Sequence, residues 1–214
     1  MRLPTKTIER KLFKDGYTSV IGVDEVGMGC LAGPVVVCAV VITRDFPLIS
    51  GVRDSKLLSQ KQRETLAHAL KQSGISFQIS LCYPKTIDKI NIYQASRKAM
   101  RRAIARLSPP APPLIYKRGL GGVVLVDGPY PIAGLDLPQR AIIKGDRTVF
   151  AIACASIIAK VHRDSMMGRY AKKFPQYGFE RHKGYGTKLH ASMLAQYGPS
   201  AIHRHSFAPV ARMM

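Results

Sequence analysis

The sequence predicts an α/β domain with a helical C-terminal portion. Apolar runs of strand character at 20–23, 35–42 and 121–126 are each bounded by glycine, proline or acidic residues. Between and after them, apolar residues recur every three or four positions, the period of a helix with one buried face. At 214 residues and 46% hydrophobic composition the chain can bury one sizeable core, and with no internal repeat or interdomain linker it reads as one domain over 1–214.

Residues 1–16 are polar and basic (Lys6, Arg10, Lys11, Lys14), with little apolar pattern beyond Leu12 and Phe13, and read as a short helix or a loose basic arm. The run at 20–23 then leads into adjacent carboxylates, Asp24 and Glu25. Three glycines follow (Gly27, Gly29, Gly33), then Pro34 and the run at 35–42, giving strand, loop, strand. Successive strand residues point to opposite faces, so Asp24 and Glu25 cannot both face the core of a regular strand, and one must sit at a strand end or bulge. Glycines without a Cβ let backbone amides come close to a ligand, so acid and bare backbone together mark a candidate site.

After Arg53-Asp54-Ser55-Lys56, Ser59 and Gln62 have the spacing of a capping box for a helix to about Ser73, ended by Gly74. Ile75, Phe77, Ile79, Leu81 and Tyr83 alternate with polar or small residues, which predicts a half-buried strand. From 88 to 107, Ile92, Ala95, Ala99, Ala103 and Leu107 give one amphipathic helix whose basic face (Arg97, Lys98, Arg101, Arg102, Arg106) suits solvation or phosphate contact equally well. Pro109, Pro110, Pro112 and Pro113 form a loop.

The buried-type strand at 121–126 ends in Asp127-Gly128-Pro129, which puts a carboxylate where a strand stops, as at Asp24. A short strand at 140–143 leads to Lys144-Gly145-Asp146. A helix over 148–173 follows, its Ala151, Ala153, Ala155, Ser156 and Ala159 allowing close packing on a sheet. Asp146 falls just before its N-terminus, where free amides and the helix dipole favour negative charge, so a capping role explains it on local grounds. Thr187 caps a last helix to about Tyr197, stopped by Gly198-Pro199, and the tail from His203 is basic with one aromatic.

Lys and Arg number 33 against 13 Asp and Glu, a net charge of +20, which favours nucleic acid as the partner over an anionic membrane surface or plain solubility. No apolar run is long enough to span a membrane and the N-terminus lacks the apolar core of a signal peptide, so a soluble, cytoplasmic protein and no membrane partner are expected. Cys30, Cys38, Cys82 and Cys154 show no CxxC pair and read as reduced core thiols.

With so few acids, carboxylates at strand ends or before a buried helix are the candidates for chemistry: Asp24, Glu25, Asp127 and Asp146. Were they to converge, like charges about 4 Å apart would repel by roughly 4 kcal/mol per pair at a surface-like dielectric, so they would need protons or cations. All-oxygen ligands select Mg²⁺ or Mn²⁺, and two such ions can bridge a phosphodiester, one activating water and one stabilising the leaving oxygen. His182, His190, His203 and His205 lie in basic sequence without metal-helix spacing, although a histidine pair could cleave RNA through its 2′-hydroxyl. No GxSxG elbow, P-loop or GxGxxG motif is present, and Ser55 with Lys56 reads better as a phosphate contact than as a Ser/Lys nucleophile.

Several stretches together resemble the type 2 ribonuclease H family, in its bacterial ribonuclease HII branch. They are Gly-Val-Asp-Glu-Val-Gly-Met-Gly at 22–29, Leu-Ala-Gly-Pro-Val-Val at 31–36, Asp-Ser-Lys at 54–56, Asn-Ile-Tyr-Gln-Ala-Ser at 91–96, Val-Asp-Gly at 126–128 and Lys-Gly-Asp at 144–146. Ala-Ser-Ile-Ile-Ala-Lys-Val-His-Arg-Asp at 155–164, His-Lys-Gly-Tyr-Gly-Thr at 182–187 and the closing His-Arg-His-Ser-Phe-Ala-Pro-Val complete them. Each alone is weak; their order and number carry the match.

The resemblance implies a ribonuclease H-like fold, a mixed β-sheet flanked by helices, with Asp24, Glu25, Asp127 and Asp146 as catalytic residues holding a two-ion Mn²⁺ or Mg²⁺ site. It implies hydrolysis of the RNA strand of RNA/DNA hybrids and cutting at ribonucleotides embedded in duplex DNA, leaving 3′-hydroxyl and 5′-phosphate ends. In the family a Gly-Arg-Gly loop and a tyrosine sense the ribose, which here are Gly27, Met28, Gly29 and Tyr185, with Met28 in place of the arginine. Arg53, Ser55, Lys56, Asn91 and Lys144 are expected against the substrate, about 174–214 as a substrate-contacting extension, and the protein as a monomer. Asp164, about five helical turns past Asp146, reads as structural. The rivals are a non-catalytic basic nucleic-acid-binding protein and a DNA nuclease or resolvase of the same fold.

Overall fold

The computed structural model describes residues 3–107, 115–116 and 119–213. In chain order the elements are α1 (Thr7–Lys14), β1 (Tyr17–Val26), β2 (Val35–Thr43), α2 (Gln60–Gln72), β3 (Ser76–Cys82), α3 (Pro84–Ile90) and α4 (Ile92–Ala105). There follow β4 (Ile115–Tyr116), β5 (Gly119–Asp127), β6 (Gln139–Ile142), α5 (Phe150–Lys173), α6 (Phe179–His182), α7 (Lys188–Tyr197) and α8 (Ala208–Ala211). The expected proline loop at 109–113 lies outside the described residues.

The strands form one mixed sheet ordered β3-β2-β1-β5, with β4 and β6 pairing along the far side of β5. β1 pairs antiparallel with β2 and parallel with β5, and β5 pairs parallel with β6. Strand alternation splits the core in two. Val20, Val36, Cys38, Val40, Val123 and Leu125 face α5, while Ile21, Val23, Val35, Val37, Val124 and Val126 face α4. Small residues bring α5 against β1 as expected: a Cβ added at Gly22 would meet the Ala151 carbonyl carbon at 2.3 Å.

The capping box at Ser59 and Gln62 is present, and Thr187 caps α7 through the His190 amide. All four cysteines are free and buried. Elsewhere long-range packing overrides the local reading. Of the two readings of the basic N-terminal segment the short helix is the one observed, and it is not solvated: α1 buries Leu12 and Phe13, and the buried Glu9 carboxylate accepts a 2.9 Å bond from the Ala151 amide at the start of α5. That is the capping duty local reasoning gave to Asp146, which instead sits in a 3-10 turn, Gly145–Arg147, ahead of the helix. The single helix expected over 88–107 is two, α3 and α4, broken at Asn91. Its φ of 61° and ψ of 165° form a backbone conformation that residues other than glycine rarely adopt, and its side chain caps α4 through the Gln94 amide. Strand β3 is covered on both faces, with Phe77, Ile79 and Leu81 packed under α5's side and Ser80 and Cys82 buried on the other.

The C-terminal portion departs furthest from its basic appearance. His182, His190, His203 and Arg204 are buried, with the histidines packed around Phe179 and Tyr177. The Ser200 amide donates to His203 Nδ1 at 2.8 Å, His203 and His190 meet Nε2 to Nε2 at 3.0 Å, and His190 Nδ1 contacts the Tyr185 carbonyl at 2.9 Å. These contacts are all satisfied only by two neutral rings, His203 donating to His190 and His190 to Tyr185. Buried in this way, the pair does not supply the metal-free RNA cleavage considered from sequence.

Burial first, and then the nearby histidines, hold both His190 and His203 down at about 4 against an ordinary 6.5. Their contribution to stability is complete above pH 6.5 and is lost as pH falls toward 4, where the unfolded chain binds protons that the folded chain refuses. Unfolding free energies from urea titration are expected to drop across that window, by up to about 1.4 kcal/mol per pH unit for each histidine, and to drop less in His203→Gln. A flat wild-type profile would mean that the rings protonate while folded.

Candidate active site

Parallel pairing of β1 with β5 in the register Val23↔Val126 sets Asp24 and Asp127 side by side at the same sheet end, both on the α5 face. Asp24, 5% exposed, accepts a 2.7 Å bond from the Glu25 amide and a further bond from Ser156 of α5. Asp127 accepts a 2.7 Å bond from the Gly145 amide, tying the end of β5 to the turn that carries Asp146. Asp146, 3% exposed, pairs at 3.3 Å with the largely exposed Lys56 ammonium. Glu25 points to the α4 face, where Arg97 eases its charge. The expectation that the adjacent acids diverge is met within a regular strand, two residues from its end and without a bulge.

Burial, with Glu25, Asp127 and Asp146 adding repulsion, pushes the Asp24 carboxyl well above the usual range. Burial and then Asp127 push Glu25 up to about 7, while burial and then Asp146 raise Asp127. Burial works against the Lys56 charge, but Asp146, Asp54 and Asp24 outweigh it and raise its pKa. Asp24, Glu25, Asp127 and Lys56 border a pocket of about 610 Å³ that Gly27, Met28, Gly29, Lys160 and Tyr185 also line, while Asp146 stands behind Lys56.

The glycine loop is held from beneath by two buried arginines. Arg204 donates to the carbonyls of Gly33 (3.0 Å), Met28 (2.8 Å) and Gly27 (2.7 Å), and Arg163 to those of Pro34 (3.0 Å), Lys183 (2.8 Å) and Ala32 (3.1 Å). Gly27 is required twice, by its φ of +97° and because a Cβ would meet Arg163 Nε at 2.3 Å. A Cβ at Gly29 would meet nothing of the protein, so that backbone is bare toward the pocket. The Met28 side chain packs on the α4-side core. Tyr185, 40% exposed, lies with Lys160 and Arg163 5.7 and 5.8 Å from its ring centre, and an isolated bridge joins its backbone to Cys30.

Other expected substrate contacts fall elsewhere. Ser55 lines the pocket but is 2% exposed, its hydroxyl 3.0 Å from that of Ser156. Asn91 is occupied as a cap, Arg53 borders a separate cleft with Leu57 and Arg147, and Lys144 is exposed in a left-handed conformation beside Gly145. Asp164 bridges Arg63 (3.6 Å) and Lys160 (2.8 Å), a structural position. Sequence reasoning passed over Ser156, Lys160, Arg163 and Arg204. The first three lie four and three apart on α5, a polar stripe in an apolar helix that helical spacing could have flagged. Nothing local marks Arg204.

The family model for ribonuclease HII matches residues 21–210. The chain belongs to the ribonuclease HII family. The chain is 46% identical over 200 residues to the ribonuclease HII of Caldicellulosiruptor saccharolyticus, covering 94% of this chain and 92% of that one. Among solved structures, ribonuclease H2 from Pyrococcus horikoshii OT3 superposes with a TM-score of 0.69 at 26% identity, over 91% of this chain and 96% of that one. Ribonuclease HII from Archaeoglobus fulgidus, solved in a complex with PCNA, gives 0.70 at 27% identity over 87% and 92%. Ribonuclease HII enzymes are metal-dependent endoribonucleases acting on RNA/DNA hybrids, and the ribonuclease H-like fold expected from sequence is the fold observed. Among the described residues no helix is long and apolar enough to cross a membrane.

Among the described residues no three His, Cys, Asp or Glu side chains are placed so that they could hold a metal ion together; Asp24, Asp127 and Asp146 are turned toward amides, Ser156 and Lys56. The donor set nevertheless fits hard cations: it is all oxygen, and burial first and then repulsion among its members raise Asp24, Glu25 and Asp127, both of which a bound cation would relieve.

Replacing Arg204 with methionine strands three buried carbonyls. Arg204→Met is therefore expected to cost about 3 kcal/mol or more in urea unfolding. A loss under about 0.5 kcal/mol would mean that the loop holds its own shape.

Proposed function

We propose that this protein cuts the RNA strand of RNA/DNA hybrids and the 5′ side of single ribonucleotides embedded in duplex DNA, with Asp24, Glu25, Asp127 and Asp146 holding two Mg²⁺ or Mn²⁺ ions. The observation that carries the reading is the grouping of Asp24, Glu25 and Asp127 on one pocket, with Asp146 in electrostatic reach of Asp24 and Asp127, on a chain of net charge +20 and beside a bare and firmly held backbone loop. A purely binding protein has no use for acids that repel both one another and phosphate.

When bound, the ions supply Lewis-acid activation of water and charge stabilisation at the leaving oxygen. Ser156 and the Gly145 amide aim Asp24 and Asp127, and Lys56 offsets the acids and offers phosphate a positive group. Lys160, with Arg53, Lys144 and the exposed Lys98 of α4, attracts the duplex backbone, whereas Arg97 is buried and Arg101 and Arg102 are held by backbone carbonyls; Ser55 and Asn91 act by holding the turn and the helix start. The backbone of Gly27 and Gly29 reads the 2′-hydroxyl, a contact that Met28 leaves intact because backbone makes it. Tyr185 packs on the adjoining sugar. Hydrolysis breaks the bond from phosphorus to the 3′-oxygen, leaving 3′-hydroxyl and 5′-phosphate ends. Residues 1–214 work as one ribonuclease H-like domain, monomeric and cytoplasmic, with 174–214 as its substrate-contacting extension.

Labelled duplex with one ribonucleotide is expected to be cut with Mg²⁺ or Mn²⁺ and left whole in EDTA, while an all-DNA duplex survives. Asp24→Asn and Asp127→Asn should each lower kcat by about 1000-fold, as removal of several kcal/mol of metal-derived stabilisation requires. Wild-type rates in these variants would defeat the assignment, and equal cutting of all-DNA duplex would point to a DNA nuclease.

A further inference from the structure

We propose that Tyr93 and Tyr130 form a second nucleic-acid platform, which holds the duplex flank leaving the carboxylates on the α4 side. This rests on the cleavage reading above and adds a contact that reading does not use. The two rings meet edge to face with centres 6.4 Å apart, yet remain 41% and 59% exposed. Neither lines the carboxylate pocket.

The pair is anchored next to the chemistry. Tyr130 follows Asp127 by three residues, and its loop is pinned two residues later where buried Ile132 exchanges hydrogen bonds with Gln139 at 2.7 and 3.0 Å. Arg101 of α4 fastens the same loop through the Ala133 carbonyl at 2.7 Å. Tyr93 stands on the first turn of α4, with the guanidinium of Arg97 4.9 Å from its ring centre and 3.4 Å from its hydroxyl. Arg97 is 7% exposed and also eases the charge of Glu25, so one buried cation links this aromatic pair to the acidic site.

Tyr185 belongs with the α5 residues Lys160 and Arg163, whereas Tyr93 and Tyr130 belong with α4. These helices cover opposite faces of the sheet whose ends carry Asp24 and Asp127. A duplex seated on the carboxylates is therefore met by an aromatic group on each side. Two exposed aromatic rings, one of them over a cation, at the start of a helix that also exposes Lys98, suit a sugar or base face beside phosphate, and the net charge of +20 commits the occupant to nucleic acid.

The test is fluorescence anisotropy of labelled single-ribonucleotide duplexes in EDTA, which reads binding without cleavage. One substrate carries both flanks, and two others have one flank each trimmed back to the ribonucleotide. Tyr93→Ala with Tyr130→Ala is expected to weaken binding of the full duplex about tenfold, and the penalty should vanish when one particular flank is trimmed. The Phe variants at both positions should bind like wild type. Equal affinity of the double Ala variant on the full duplex, or the same loss on all three substrates, would overturn the proposal. So would failure of photo-activatable bases in that flank to crosslink to the wild-type protein at these tyrosines. Failure of the cleavage reading shows separately, as wild-type protein that binds the full duplex but does not cut it with Mg²⁺ or Mn²⁺.

Discussion

The parallel pairing of β1 with β5 brings Asp24 beside Asp127 at a shared strand end, and the rest of the pocket is arranged around the repulsion this creates. Two buried acids at one edge of an apolar sheet disfavour the folded state when both are charged. Each neighbouring element offsets part of that: the turn after β6 through the Gly145 amide, α5 through Ser156, the Asp54–Lys56 segment through an ammonium, and α4 through Arg97. What remains unneutralised is capacity for added cations. The fold thus stores at one place a charge deficit that the chemistry of a metal-dependent nuclease can use.

The positive charge is managed in the opposite way. Arg163 and Arg204 lie fully buried and form no ion pairs among the described residues; backbone carbonyls satisfy them instead. A carboxylate partner would have collapsed onto the guanidinium, whereas carbonyls spread along a loop are drawn to it without losing the loop's shape. The carbonyls of Gly27 and Met28 are thereby turned inward, beneath the segment that lines the pocket. This anchoring through the backbone explains how a methionine can stand at position 28. Its side chain joins the core and its carbonyl is held by Arg204, so the loop's form does not depend on what that side chain is.

Strands with continuous apolar runs, the small-residue helix on the sheet and the carboxylates at strand ends were legible because each is a local pattern. The Ser59 and Thr187 caps were legible for the same reason. Glu9 as the acid at the start of α5 was not, because its partner lies across the whole fold. Asn91 as a break was hidden by apolar spacing that carries through it, and His190 and His203 looked solvated because their neighbours in sequence are basic while their neighbours in space are aromatic. In the candidate site the acids could be read, but the groups that aim them could not. Ser55 looked like a phosphate contact by type, and only packing reveals that its hydroxyl is spent on Ser156.

The glycine loop is closed by segments from the other end of the chain. The Leu31 amide bonds to the Gly184 carbonyl, the Gly33 amide to that of Ile202, and the Arg204 amide to that of Leu31, each at 2.8 Å. During synthesis the residues from 24 to 33 leave the ribosome early, and the carboxylates at 127 and 146 follow, whereas 184, 202 and 204 come last of these. A nascent chain can therefore gather its acids before the backbone beside them has any fixed form. Order of manufacture thus makes the loop, closed by residues 184, 202 and 204, the last part of this region able to take its form.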